Sequence, residues 1–193
     1  VGIVKKLDNI LGVEYPKEKM EIIVVDSGSK DKTVSLAREW SSTHPEIRMQ
    51  IVCQTKRLGM VNALNEAVKH ASGDIFVKTD ADCFLLEDSM RTAVKYLADP
   101  LVGSVAGIHT IEASRETSSV RVERTYREFY RWLRIGESKL WSTVLYEGEL
   151  MFVKKRILDE IAFDEEIGAD DVPTALRISA RGYRAITADD SNF

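Results

Sequence analysis

Gly73-Asp74-Ile75-Phe76-Val77-Lys78-Thr79-Asp80-Ala81-Asp82 is an apolar run that ends in two carboxylates one residue apart. Ile75, Phe76 and Val77 read as a buried strand, so Asp80 and Asp82 fall at its carboxyl end, where open α/β sheets place their ligands. Side chains alternate in extended structure, which predicts that the two carboxylates share one face. Like charges at the end of a buried strand are unfavourable unless a cation meets them. Oxygen-only ligands of this kind suit Mg²⁺ or Mn²⁺, which takes one or two protein carboxylates and fills its shell from water and phosphates. A nucleotide diphosphate is the matching third party.

Upstream, Val1, Val4, Leu7, Ile10 and Leu11 recur at helical spacing before Gly12, so the chain is expected to begin inside a helix. Glu21-Ile22-Ile23-Val24-Val25-Asp26 is a β-branched strand breaking into Ser27-Gly28-Ser29, and Asp31 and Thr33 open a helix carrying Leu36, Ala37 and Trp40. Met49 to Cys53 reads as the next strand. Val61, Leu64, Asn65 and Val68 form one face of the next helix. The dicarboxylate strand completes a β-α-β-α-β series, which argues for a largely parallel sheet covered by helices.

Downstream, a helix is expected from Leu86 to Leu97, a strand from Val102 to Gly107, an extended stretch from Val144 to Val153, and helical segments at Arg156–Ile161 and Ala175–Ala180. A helix from about Val120 to Arg134 carries Val122, Tyr126, Phe129, Tyr130 and Leu133 as one stripe, with Arg121, Arg124, Arg127, Glu128, Arg131 and Arg134 around the rest. The favoured reading packs that stripe on its own domain with the charges in water. A basic amphipathic helix can also lie along a membrane surface.

A chain of 193 residues with 44% hydrophobic content has material for one domain, residues 1–193. A net charge of −4 gives no case for nucleic acid, whose phosphates call for many Lys and Arg. Cys53 and Cys83 lack metal or disulfide spacing and read as buried free thiols of a reducing, cytoplasmic compartment. No run approaches a membrane span, so the piece reads as soluble. His44, His70 and His109 show no ligand spacing.

Taken together, these segments resemble the glycosyltransferases of family 2. The strand Ile22 to Asp26 with Ser27-Gly28-Ser29, Asp31 and Thr33 looks like the family's first signature. Lys56-Arg57-Leu58-Gly59 with Asn62-Ala63-Leu64-Asn65 resembles the next segment, and Asp80-Ala81-Asp82 matches the metal-binding DXD element. Glu147-Gly148-Glu149 with Phe152 and Lys154-Lys155-Arg156 is similar to the acceptor-side segment. Asp170-Asp171 before Leu176-Arg177 and Gly182-Tyr183 resembles the acidic pair that carries the base. Each element alone is weak, but four in order are strong. The likeness is greatest to the branch containing the cellulose, chitin and hyaluronan synthases.

The resemblance implies an α/β GT-A fold, with a Rossmann-like, mostly parallel mixed sheet flanked by helices. It implies an inverting, metal-assisted transfer of a hexose from a nucleotide diphosphate sugar, a UDP-sugar first, to a hydroxyl of a glycan or lipid. Asp82 with Asp80 would hold Mn²⁺ or Mg²⁺, Asp171 or its neighbour Asp170 would take the acceptor proton, and Asp26, Lys56 and Asp80 would meet the donor. Glu149 would face the acceptor. The parent protein would sit at the cytoplasmic face of a membrane. Ser27 stands where a second aspartate is usual, Asp170 where Glu is, and Glu149 where a small residue is. The family's first strand is expected ahead of Val1 and a Gln/Arg/Trp segment after Phe193, so the chain reads as a fragment.

Duller roles compete. Asp171 before Val172-Pro173 suits a helix N-cap, Asp26 and Ser29 suit a turn, Asp80 and Asp82 could cap a following element, and Lys56 suits a surface charge. At the level of function the rival is a non-catalytic nucleotide-sugar or carbohydrate-binding module that keeps the fold.

Overall fold

The computed structural model of the chain describes residues 2–108, 118–143 and 147–192. Its elements run α1 (Ile3–Gly12), β1 (Glu21–Asp26), α2 (Thr33–Thr43), β2 (Arg48–Cys53), α3 (Met60–His70), β3 (Ile75–Thr79) and α4 (Ser89–Leu97). They continue with β4 (Val102–Ile108), α5 (Ser118–Leu140), β5 (Leu150–Lys154), α6 (Lys155–Ile161), α7 (Val172–Ala180) and β6 (Arg184–Asn192). The expected α/β architecture of helices around a mixed sheet is present.

The strands form two ladders. β1 and β2 pair in parallel, with Val24 opposite Ile51. The other four lie in the order β3-β5-β4-β6, where β5 runs antiparallel to both neighbours and β4 pairs in parallel with β6. The third strand of the β-α-β-α-β series therefore does not extend the β1–β2 ladder in parallel; β5, which comes much later in the chain, claims it. A cavity of about 740 Å³ separates β1 from β3, lined on one wall by Ile22, Ile23 and Val25 and on the other by Ile75, Phe76 and Val77.

The four-stranded sheet is apolar on both faces, which is why its strands lack strict polar alternation. Phe76, Ala106, Met151, Val153 and Ala185 point to one side, against Val61 and Val68 of α3, Ile157 and Leu158 of α6, and Ile178 of α7. Val105, Leu150, Phe152 and Ile186 point to the other, against Ala93 and Leu97 of α4. A third cluster joins Leu7 of α1 to Ile22 and to Ala37 and Trp40 of α2, and the Trp40 indole N–H donates to Asp8 at 2.7 Å.

Several boundaries move. The first helix is capped by an extended Gly2 and runs from Ile3, while Val1 lies outside the described residues. α4 starts at Ser89 rather than Leu86, α7 at Val172 rather than Ala175, and α5 reaches Leu140. Of the stretch expected to be extended from Val144, only Leu150–Lys154 is a strand; Val144, Leu145 and Tyr146, like His109, lie outside the described residues. Cys83 is buried, but Cys53 is exposed, because it ends a strand whose outer side meets water. Most of the stripe on α5 faces water: Val122, Tyr126, Phe129 and Leu133 are 70%, 60%, 61% and 40% exposed and Tyr130 is half-buried, while Ile135 is buried.

Candidate active site

The antiparallel entry of β5 builds the site. The β3–β5 register ends at Thr79 opposite Leu150, so the next residues outward, Asp80 and Glu149, meet, and the Asp80 amide donates to the Glu149 carbonyl at 3.1 Å. Two segments seventy residues apart in sequence are thereby held side by side. The strand stops at Thr79, and the Cys83 amide closes back on the Asp80 carbonyl at 3.2 Å. Asp80-Ala81-Asp82 is therefore a turn, and the shared face expected from strand alternation does not apply, because the backbone is no longer extended there.

Asp82 is exposed, and the Asp80 side chain is 37% exposed. The burial argument for an external cation therefore fails at these two carboxylates, and the chain supplies its own. Lys78, the one charged residue within β3, lies on the inward face with Phe76. Its ammonium sits 2.8 Å from Asp80 Oδ1 and 2.9 Å from Asp170 Oδ2, and donates to the Gly148 carbonyl. The contact with Asp170 Oδ2 is close but poorly aligned for a hydrogen bond, so it acts as an ion pair. Burial works against the Lys78 ammonium, but the facing Asp80 and Asp170 carboxylates more than reverse that and raise its pKa. Lys6, also buried, donates from α1 to Thr79 Oγ1 at 2.7 Å and to the Cys83 carbonyl; burial lowers its pKa.

Asp170 is buried and Asp171 half-buried at the start of α7. Asp171 Oδ1 accepts from the Val172 amide at 2.6 Å and its carbonyl from the Ala175 amide, with Pro173 in the first turn, so the capping geometry is real. A Cβ placed on Gly148 would stand 3.3 Å from Asp171 Cβ and 3.5 Å from both Asp170 carboxylate oxygens, so the glycine lets β5 approach this pair. Asp80, Glu149, Asp170 and Asp171 thus gather around Lys78 and Gly148, with Asp82 two residues along the turn.

Asp26 and Lys56 lie elsewhere. Asp26 ends β1, and its carboxylate accepts from the Gly28 and Ser29 amides at 3.1 Å, so it does shape its turn. The hydrogen bonds of Ser29 hold its pKa below the usual carboxylate range, against the opposing effect of burial. Lys56 is exposed in the loop after β2. Among the described residues no hydrogen bond or ion pair joins either to the cluster around Lys78. The segment carrying Asn62 and Asn65 serves as a tie: Gln54 accepts from Ser27 Oγ at 2.8 Å and donates to Asn62 at 2.9 Å, while Asn65 brackets the backbone of Phe163.

Sequence reasoning passed over Lys78, Lys6 and Gln54. The signal for Lys78 was a lysine inside a strand of Ile, Phe and Val; that for Lys6 was its place on the face of α1 that continues to Ile10. Among the described residues no three His, Cys, Asp or Glu side chains gather as metal ligands. The two oxygen donors at Asp80 and Asp82 nevertheless fit a hard divalent ion that draws its remaining ligands from water and phosphates.

Residues 3–162 match the family model described as Glycosyl transferase family 2. A dolichyl N-acetyl-alpha-D-glucosaminyl phosphate 3-beta-D-2,3-diacetamido-2,3-dideoxy-beta-D-glucuronosyltransferase of Methanococcus voltae is 28% identical over 200 residues, 96% of this chain and 60% of that protein. The poly-beta-1,6-N-acetyl-D-glucosamine synthase of Staphylococcus aureus is 26% identical over 92% of this chain and 42% of its own. Among solved structures, the mannosyltransferase PcManGT from Pyrobaculum calidifontis, in complex with GDP-Man and Mn²⁺, superposes with a TM-score of 0.87 at 42% identity, over 98% of this chain and 51% of that one. The chain thus spans about half the length of these relatives.

Proposed function

This chain belongs to glycosyl transferase family 2, and on that premise we propose that its protein moves a hexose from a nucleotide diphosphate sugar to an acceptor hydroxyl, with inversion at the anomeric carbon. The observation that carries the reading is the single cluster in which the Asp80-Ala81-Asp82 turn, Glu149 and the Asp170-Asp171 pair meet at the ends of β3 and β5. The GDP-Man and Mn²⁺ held by the 42% identical mannosyltransferase favour a guanosine diphosphate hexose as donor over the UDP-sugar expected from sequence.

In this reading Asp82 and Asp80 hold the divalent ion, Mn²⁺ before Mg²⁺. When bound, it supplies Lewis-acid relief of the charge growing on the diphosphate. Asp171 takes the proton from the acceptor oxygen as that oxygen attacks the anomeric carbon and the bond to the diphosphate breaks. Asp170 is pinned by Lys78 and orients its neighbour. Glu149 accepts a hydrogen bond from the acceptor, while Asp26 and Lys56, from the β1–β2 side, meet the nucleoside and its phosphates. The acceptor is a hydroxyl of a glycan or lipid, presented at the cytoplasmic face of a membrane.

The test is a melting series with GDP-Man and UDP-GlcNAc, each with Mn²⁺ and with chelator, on the wild-type chain and Asp82→Ala. A donor at a hundred times its Kd adds about 2.7 kcal/mol. The expected outcome is stabilisation by GDP-Man with Mn²⁺ that disappears with chelator and in Asp82→Ala. Equal stabilisation with and without metal would refute the metal assignment, and none by any donor would refute the reading itself.

A further inference from the structure

Lys78 holds one positive charge between two carboxylates that belong to different sides of the site. Its side chain is 5% exposed, and alternation along β3 turns it, with Phe76, away from water. An ammonium has three N–H donors, and its surroundings offer three acceptors: Asp80 Oδ1 at 2.8 Å, Asp170 Oδ2 at 2.9 Å and the Gly148 carbonyl. Asp170 Oδ2 receives proximity without an aligned bond, and this buried oxygen has no other partner among the described residues.

The backbone beside Asp80 is fixed at several points. The Asp80 amide donates to the Glu149 carbonyl, the Asp80 carbonyl accepts from the Cys83 amide, and Lys6 donates to Thr79 Oγ1 and the Cys83 carbonyl. A ligand that draws on the Asp80 carboxylate is therefore answered by side chains rather than by movement of the turn. The side chain in contact with that carboxylate is Lys78.

We propose that Lys78 is a positioning residue that couples occupancy of the Asp80-Ala81-Asp82 turn by a divalent ion to the setting of the Asp170-Asp171 pair. One ammonium cannot neutralise two carboxylates. Asp80 engaged by a second cation needs Lys78 less, and the two cations repel. Tethered by the Gly148 carbonyl and by its own strand, Lys78 then gives an aligned N–H to Asp170 Oδ2, the oxygen that lacks one. Asp171 follows, because its carboxylate is already bonded to the Val172 amide one residue on and its backbone is continuous with Asp170.

The inference rests on the transferase reading for the identity of the ion and deepens it by giving an order: donor with its ion first, acceptor second. The coupling is reciprocal, so Asp170 must strengthen ion binding at Asp80 without touching the ion.

The experiment titrates GDP into the chain by calorimetry, with excess Mn²⁺ and with chelator, and reads the gain in affinity that Mn²⁺ brings. In Asp170→Asn the ammonium belongs to Asp80 alone, so the gain falls about fivefold or more; in Lys78→Met it rises by a similar factor. Adding Asp170→Asn to Lys78→Met changes nothing further, because the carboxylate acts only through the lysine. Asp171→Asn removes the same charge one residue along, where no described ion pair to Lys78 exists, and leaves the gain within about twofold of wild type. Asp170→Asn keeps Lys78 in place and carries the test even where Lys78→Met is too unstable to titrate. The coupling is overturned if Asp170→Asn leaves the gain unchanged or if Asp171→Asn lowers it equally. It is also overturned if the Asp170→Asn loss persists beside Lys78→Met, which would make Asp170 a direct ligand. A wild type in which Mn²⁺ brings no gain overturns the metal assignment of the transferase reading together with the coupling, whereas a wild-type gain with unmoved variants overturns the coupling alone.

Discussion

Replacing Lys78 by methionine removes the ammonium but keeps a side chain of similar length on the buried face of β3. Asp80 loses little, since its side chain is 37% exposed and turns to water. Asp170 has no such outlet: its side chain is 9% exposed, and one of its oxygens already lacks a well-aligned hydrogen bond. Removing one member of a buried pair costs about 3–5 kcal/mol because the other is left charged and unpaired. The escape from that state is protonation, which at pH 7 costs about 4 kcal/mol for a carboxyl of ordinary acidity and at pH 5 only about 1.5 kcal/mol. Lys78→Met is therefore expected to lose about 3–4 kcal/mol at pH 7 and about 1.5 kcal/mol at pH 5. Lys78 itself has a raised pKa, so its contribution is fully present below the usual lysine range and fades only as pH rises through the folded value; in the wild type it is the same at pH 5 and pH 7. The assay is urea denaturation of wild type, Lys78→Met and Lys78→Met/Asp170→Asn at both pH values, with the double variant expected to recover much of the loss at pH 7. A loss that is equal at the two pH values, or that the double variant fails to relieve, would refute the electrostatic reasoning and leave only packing.

Three further outcomes can be checked. Gly103→Ala puts a Cβ 2.8 Å from Ile178 Cγ2, 2.9 Å from Ile157 Cδ1 and 2.9 Å from Tyr183 Cβ; the last contact cannot swing aside, so the urea midpoint should fall by the equivalent of about 2–3 kcal/mol, and an unchanged midpoint would contradict the packing between β4 and α7. Asp26 has a lowered pKa, so its stabilisation is present above the usual carboxylate range and is lost as pH falls through the folded value. Asp26→Asn should thus cost about 1–2 kcal/mol at pH 7 and progressively less as pH falls through and below the usual carboxylate range, and a gap of constant size would argue against the Ser29 bonds as its source. Asp171→Asn, measured in a longer polypeptide with demonstrated transfer activity, should keep its fold and its donor-induced stabilisation but lose about 10²–10⁴-fold in rate; full activity with a lowered melting temperature would make Asp171 a helix cap only.

What could be read from the chain before its fold was known follows from what local pattern encodes. β1 and β3 announce themselves because Ile22 to Val25 and Ile75 to Val77 have few other solutions, and Asp171-Val172-Pro173 announces a helix start. Pairing direction is not local, so nothing between Leu150 and Lys154 says that this strand runs antiparallel and brings Glu149 to Asp80. β6 is silent because Ala185, Ala188, Asp189 and Asp190 carry weak strand preference; its place is dictated by Val105 opposite Ile186. Periodicity located the stripe on α5 but not what it faces, since a helix repeats identically whether its apolar side looks inward or out. The acidic residues of the site were visible as unusual letters. Lys78, which holds Asp80 and Asp170, and Lys6, which ties Thr79 to the Cys83 carbonyl, were not, because a lysine in a helix or strand is ordinary until its burial is known.

The cavity between β1 and β3 makes this polypeptide a mould for an extended segment. β1 spends its backbone groups on β2 and β3 spends its own on β5, so the facing sides of both offer amides and carbonyls across an apolar cleft. A strand laid in that cleft would meet backbone partners on both sides and join the two ladders into one continuous sheet.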